Sequence, residues 1–345
     1  MIRSPQQVPA AQRAVAVHSD SVLAGLKLLG CAALALGCMA TALAQDYPSK
    51  PIRLISAHAA GGGADQLSRI VSDHLAKLLR QPVVVENRPG GSTMIAAEYV
   101  AQAPPDGYTI LMATVTTLSI NPSLFRKMRY DPIKDFAPVT IVASTPFFLG
   151  VHAALPLRSV TDVIELAKQK PGALNYGSSG SGTSSHLAGE LFNDMAGVRM
   201  VHVPYKATST RATDLVSGVI QLAFANDLLP FARAGRVRIL GVTSSRRLSG
   251  YPDIPTVAEA GGLPGYEASV WYGLVAPAGT PATIVDKLSE SVRTVLADAD
   301  VRQKVMQALG GEVVGNTPAE FAAQIKSDLA KWARVIKRSN VTIDQ

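Results

Sequence analysis

The chain has 345 residues, 47% of them hydrophobic and 17% charged, with a formal net charge of +7. This describes a globular protein of one large or two ordinary domains and excludes a disordered chain. No Lys/Arg cluster with interleaved aromatics points to nucleic acid, and both cysteines, Cys31 and Cys38, fall in the first 44 residues, so the remainder has no disulfide, thiolate nucleophile or cysteine-based metal site.

Residues 1–44 read as a targeting sequence. Arg3, Arg13 and Lys27 are basic, residues 28–40 form an apolar run too short for an ordinary membrane span, and Ala42-Leu43-Ala44 has the small-x-small pattern of a signal peptidase site. Cleavage after Ala44 is expected to leave an exported, soluble chain of 301 residues. The leader removes three basic residues and one acidic one, so the net charge falls to +5.

Residues 52–57 are apolar and β-prone, which predicts a buried strand. Gly61, Gly62 and Gly63 follow, and Asp65 is placed to cap a helix whose apolar positions are Leu67, Ile70, Val71, Leu75, Leu78 and Leu79. A strand, a glycine turn and a helix N-terminus make an anion site, because unpaired N–H groups point outward and the helix dipole favours negative charge. The same pattern also serves as a plain strand-to-helix turn, and the residues leave both readings open.

A second strand is expected over 82–87, a turn over 88–91 and a helix over 94–103. The third strand, 108–113, runs into Thr114, Thr116, Thr117 and Ser119. Strands alternating with helices predict a mainly parallel sheet flanked by helices, with ligands held outside the carboxyl ends of the strands. Two strands, 137–144 and 147–151, are separated by Pro146 and mark a crossover into a second unit. Ser159 and Asp162 open the next helix as a variant capping box. Strand 174–178 then leads through the Ser/Gly run 179–185 into a helix over 186–197, a second anion site of the same build. Two such sites can face each other across a cleft; the bland alternative for this run is a flexible linker.

Strands 200–205, 220–225, 236–244 and 271–277 follow, with a Pro/Gly-rich loop over 245–265. Three helices end the chain, over 280–297, 301–309 and 317–335, the last opened by a Thr317/Glu320 capping box with Pro318 at its first position.

No Gly-x-Ser-x-Gly elbow, Walker sequence, dinucleotide fingerprint or His-Glu-x-x-His occurs. Without a nucleophile–base pair, the chain reads as a binding protein and not an enzyme, with no cofactor and no metal. An exported enzyme and a sensor subunit presenting its ligand to a signalling receptor are the competing classes. His58 and His186 sit beside the two candidate anion sites, whereas His74 and His202 read as structural.

The stretches YPSKPIRLIS, GGGAD, PVVVENRPG, PPDGYTILMAT, INPSLF, YDPIKDFAPVT, GALNYGSSGSGTSSHLAGELF, VHVPYK, IPTVAEAG and GLVAPAGTP cover nearly all of 47–338. Together they resemble the substrate-binding proteins of tripartite tricarboxylate transporters, the Bug family. The resemblance implies a two-lobed, Venus-flytrap α/β fold in the periplasm. It implies a small carboxylate as ligand, and as partners the large and small integral membrane subunits of a transporter, served by a monomeric receptor. It further implies that the loops 59–65 and 178–183 both touch a ligand carboxylate, and that the 114–119 loop and the segment after Phe224 line the cleft.

The candidate ligand residues are therefore His58, Ala60, Gly61, Gly62, Gly63, Ala64 and Asp65 on one side. Ser179, Gly182, Thr183 and His186 face them, and Thr116, Thr117, Asn226 and Asp227 complete the set. His58 stands where the family usually has Phe, Ala60 where it has Pro, and Ala225 where many members carry Asp. Losing that acid argues against an ammonium-bearing ligand, unless Asp227 replaces it, and favours a dicarboxylate or aromatic acid. The expected division is a leader at 1–44, lobe one at 45–145 with 268–345, and lobe two at 146–267.

Overall fold

The computed structural model describes residues 47–205, 207–339 and 341. The expected leader and its cleavage site lie outside them. Eleven strands are present among the described residues. Those of the first sheet are β1 (Ile52–Ser56), β2 (Val83–Asn87), β3 (Thr109–Thr114) and β4 (Phe136–Pro146). The second sheet is built from β5 (Phe148–His152), β6 (Asn175–Ser178), β7 (Val201–Pro204), β8 (Leu222–Ala225) and β9 (Val237–Val242). The chain then returns to the first sheet with β10 (Ser269–Pro277) and β11 (Glu312–Val313).

The first sheet has the order β11-β4-β10-β3-β1-β2 and the second β7-β6-β8-β5-β9. The inner strand β3 is buried at all six positions, as its unbroken apolar run requires of a strand covered on both faces. At the edge, β2 exposes Val84. Helices flank the sheets, and the fold is two-lobed α/β.

The expectation of mainly parallel sheets is corrected: both are mixed. β1 pairs in parallel with β2 and β3, but β10 and β11 pair antiparallel with β4, and β10 antiparallel with β3. In the second sheet β6 is parallel to β7 and β8, while β5 is antiparallel to β8 and β9. The strands that run against the rest of their sheet are β5, with which the chain enters the second sheet, and β10 and β11, with which it returns to the first. β4 passes through the single residue Phe147 into β5, with no crossover helix to turn the direction back.

The return path crosses beside it. Thr243, fully buried, donates its N–H to Phe147 O at 2.9 Å, and its hydroxyl accepts from Phe147 N at 2.8 Å. The same hydroxyl donates to Ala268 O at 2.6 Å, and Ala268 N donates to Thr243 O at 2.9 Å. One threonine thus ties both crossings together.

The 245–265 stretch contains a short helix, Val257–Gly261, opened by a Thr256/Glu259 capping box. The Ser159/Asp162 and Thr317/Glu320 capping boxes form as the sequence predicts. The last helix, Pro318–Ser339, buries Phe321, Ile325, Trp332 and Val335, and its Asp328 accepts from the Trp271 indole on β10 at 2.8 Å. Near its end, Arg338 meets Asp194 of the helix Ser184–Ala196 at 2.6 Å.

Candidate functional site

The carboxyl ends of four strands converge on one cleft with about 480 Å³ of internal space. β1 delivers His58, β3 delivers Thr114 and Thr116, β6 delivers Ser179, and β8 delivers Asn226. β10 runs antiparallel to β3, so its N-terminal half brings Val270 and Tyr272 to the same end, with Tyr272 opposite Thr114. Phe147, the single residue between β4 and β5, also lines the cleft.

None of the fifteen lining residues is charged when His58 is neutral, and burial pushes the His58 imidazole below its ordinary pKa. Its ring lies 6.4 Å from that of Tyr272, whose phenol burial pushes up to about 12. His58 Nδ1 is buried without a hydrogen-bond partner among the described residues. Tyr272 therefore offers a protonated hydroxyl, and His58 a neutral ring with one uncommitted nitrogen.

The Ser/Gly run is largely self-satisfied. Gly182 N donates to His186 Nδ1 at 3.0 Å, and Ser179 N donates to Ser185 Oγ at 3.0 Å. Thr183 is the N-cap of the helix Ser184–Ala196; its hydroxyl donates to Gly180 O at 2.7 Å and accepts from His186 N at 3.4 Å. What remains for a ligand is one step further along. The N–H groups of Ser184 and Ser185, in the first turn, and the Ser181 and Ser184 hydroxyls have no protein acceptor among the described residues. Gly182 and Thr183 line the cleft, but their polar groups position the loop.

His186 is buried, with its ring 3.6 Å from that of His202 and nearly parallel to it. Burial holds both imidazoles down at about 4, His202 also through the neighbouring His186. Glu190 lies 3.8 Å from His186 Nε2, yet no ion pair forms while the ring is neutral. His186 is a support of the cleft loop and not part of its lining.

On the other side, Asp65 is not the helix cap. The helix Gly63–Leu79 starts two residues earlier with Gly62 as N-cap, so Asp65 lies inside its first turn. Its carboxylate accepts from Gly61 N at 2.9 Å, Asn87 Nδ2 at 2.8 Å and Arg69 Nε at 2.9 Å. Burial pushes this carboxyl up, but those bonds outweigh it and bring it down to about 2. The N–H groups of Gly62, Gly63 and Ala64 have no acceptor among the described residues. The turn from Ala60 to Gly62 is exposed, Gly63 packs on Leu309, and Ala64 is buried; none of Ala60 to Asp65 lines the cleft as it stands.

Thr117 is also buried and structural. Its hydroxyl bonds Thr93 Oγ1 at 2.9 Å and accepts from Thr114 N at 3.2 Å, while its carbonyl accepts from the Tyr130 hydroxyl at 2.6 Å. That outside partner accompanies a single π-helical turn over Thr116–Ile120, a geometry that recurs at functional sites. Asp227 does not line the cleft; it accepts from the buried Arg211.

Sequence reasoning missed Ser92, Leu124, Phe147, Val270 and Tyr272 in the lining. Ser92 and Thr93 adopt φ of +53° and +75°. Nothing in a Gly-Gly-Ser-Thr string announces a left-handed Ser-Thr pair, but a turn next to a glycine pair was the available signal. The Thr93 conformation is unusual for a β-branched residue and is held by the Thr117 hydroxyl. Among the described residues no group of three metal-ligating side chains occurs, and no helix is long and apolar enough to cross a membrane.

Residues 67–341 match the model of the family described as "Tripartite tricarboxylate transporter family receptor". The UPF0065 protein in the tcbD-tcbE intergenic region of Pseudomonas sp. (strain P51) is 37% identical over 303 residues, which span 87% of this chain and 89% of the relative. Among solved structures, R. palustris Rpa4515 with adipate is 37% identical, with a TM-score of 0.70 over 86% of this chain and 99% of its own. MatC from Rhodopseudomonas palustris with bound malate is 31% identical, with a TM-score of 0.66 over 84% of this chain and 100% of its own.

Proposed function

This chain belongs to the tripartite tricarboxylate transporter family of receptors, and from that membership we propose that it captures a small carboxylate between its lobes and delivers it to a transporter with one large and one small integral membrane subunit. The observation that carries the reading is an uncharged cleft whose edge is a helix N-terminus with unspent N–H groups, ringed by hydroxyls. Such a surface holds an anion with fixed dipoles that do not titrate. The adipate and malate of the two solved relatives are carboxylates of suitable size.

The Ser184 and Ser185 amides, with Ser179, Thr116, Asn226, His58 and Tyr272, would contact the ligand in the present cleft. The free amides of Gly62, Gly63 and Ala64 would join on closure, when hinge motion brings the lobes together and the added contacts favour the closed state. The lobes would divide as 45–145 with 268–345, and 146–267. Their crossings at Phe147 and Thr243 and the contact of Thr161 with Ala260 support that division. The receptor would act as a monomer in the periplasm after removal of residues 1–44. Asp227 is engaged by Arg211 and position 225 is alanine, so the ligand would lack an ammonium group.

The test is thermal unfolding of the protein against adipate, malate, citrate, aromatic mono- and diacids, nicotinate and acidic amino acids, each beside its amide or ester. A carboxylate that binds only the folded state raises the midpoint, and its amide does not. A panel without any shift overturns the receptor reading. Tighter binding of an amino acid than of its deaminated analogue overturns the exclusion of ammonium.

A further inference from the structure

Behind the uncharged lining stands a buried cation. Arg211, on the helix Thr208–Ser217, is only 2% exposed. One terminal nitrogen of its guanidinium donates to Ser179 Oγ at 3.1 Å, and the other donates to Asp227. Its Nε is buried without a partner among the described residues. The neutralisation is lopsided: the Asp227 side chain is 39% exposed and screened by water, while the guanidinium is not. The acid on Arg211's own helix, Asp214, is taken up by the Tyr205 hydroxyl at 2.7 Å.

Ser179 lies between this cation and the cleft. Its N–H is committed to Ser185, and its oxygen accepts from Arg211. The remaining polar capacity of the side chain that matters to a ligand is its O–H. A hydroxyl whose oxygen is held by a cation is a better donor, because hydrogen bonds in a chain polarise one another. Neighbouring Asn226 lines the cleft beside Asp227, so the Arg211–Asp227 pair also fixes that segment.

We propose that Arg211 is a positioning residue that sets the charge preference of the cleft: through Ser179 it presents an oriented O–H donor and a positive bias on the lobe-two side, selecting an anionic group there, and Asp227 tempers that bias. This rests on the carboxylate-receptor reading. Because Ser179 N is bonded to Ser185 of the helix end, this donor and the free helix amides lie on the same side of the cleft and mark the lobe-two loop as the place of the ligand's negatively charged group.

The two members of the pair have opposite expected effects, which a merely structural pair would not have. Titration calorimetry would compare wild type, Arg211→Met, Arg211→Lys and Asp227→Asn with adipate and with its monomethyl ester, and with malate and citrate where adipate is silent. Arg211→Met is expected to weaken diacid binding about tenfold, equivalent to about 1.4 kcal/mol, and to weaken the monoester, which keeps one carboxylate, as well. Arg211→Lys is expected to restore much of the affinity, and Asp227→Asn to strengthen diacid binding. Arg211→Met with wild-type affinity, or both Arg211→Met and Asp227→Asn weakening it alike, overturns the inference while leaving the receptor reading intact. Wild type that binds none of these acids overturns both. Circular dichroism of Arg211→Met separates loss of binding from loss of fold, and a misfolded Arg211→Met leaves Arg211→Lys and the direction of the Asp227→Asn effect as the deciding measurements.

Discussion

Asp65 is 3% exposed at its side chain and still ionised at neutral pH, because three donors meet it: the Gly61 amide, the Asn87 amide and the Arg69 guanidinium. A buried carboxylate without them would carry a large desolvation penalty. Here it anchors the glycine turn to β2 and to the helix that follows, so the turn keeps its shape without any ligand. Its carboxyl sits at about 2 in the folded protein against 3.8 ordinarily. The depressed value means that the stabilisation is present above 3.8 and is lost as pH falls toward 2. Asp65→Asn should cost about 2 kcal/mol and flatten the acid limb of the stability curve in that window. Urea unfolding of the two proteins at pH 7 and at a series of acid values measures both effects. Equal stability at pH 7 would show that the turn does not depend on the charge.

At the scale of elements, the strand-to-helix connection at 178–186 couples the cleft to a titrating pair. His186 can accept from Gly182 N only through an unprotonated Nδ1, and His202 stacks on its face. Tyr176, Glu190 and Ser178 surround the two rings: the Tyr176 hydroxyl donates to Glu190 at 2.5 Å, and Ser178 bonds His202 Nε2 at 2.6 Å. Both histidines sit at about 4, below the ordinary 6.5, so the unfolded chain takes up protons first as pH falls. Stability should decline from about pH 6.5 to about 4, and ligand affinity should decline as His186 protonation releases Gly182. His202→Phe keeps a ring on the stack and removes one titrating group, so the fall in unfolding midpoint across that window should be roughly halved. An unchanged slope would place its source elsewhere.

The sequence placed His186 beside the loop and read His202 as structural, but their pairing was not legible, because ring stacking across two elements has no local signature. What was legible followed from periodicity and local chemistry: strand and helix order, three capping boxes' worth of Ser/Thr–acid spacing of which two were named, and the strand ends that line the cleft. The glycine turn was found, but the donors left free by Gly182 and Thr183 were misplaced by one or two residues, because internal bonds of the loop decide which amides remain. β11 and the helix Val257–Gly261 are too short to show a period. The reversed direction of β5, β10 and β11 was missed because hydrophobic runs do not encode strand polarity.

For the whole molecule, the hinge motion proposed above requires two sheets joined at two points to move and yet stay in register. The two crossings are adjacent, and Thr243 bridges them with backbone and side chain together. Its methyl and hydroxyl sit among fully buried groups, so no water is at hand to replace the hydroxyl. Thr243→Val is nearly isosteric, so it would remove both side-chain bonds with little change in packing. The Phe147 amide would lose its acceptor and the Ala268 carbonyl the hydroxyl donor. Each such buried group left unsatisfied costs about 1–3 kcal/mol, though backbone shifts recover part of this. The backbone pair between Phe147 and Thr243 and that between Ala268 and Thr243 would survive, so each sheet should stay folded. The expected outcome is a lower unfolding midpoint together with a wider spread of interlobe distances, read by spin labels placed on Lys77 and Lys168, which are exposed on the helices Gly63–Leu79 and Val160–Gln169. Ligand should bind this variant more weakly, since a hinge with more open conformations is populated less in the closed one. A distance distribution as narrow as that of wild type would mean that the last helix, with Trp271 on Asp328 midway along it and Arg338 on Asp194 near its end, holds the lobes instead.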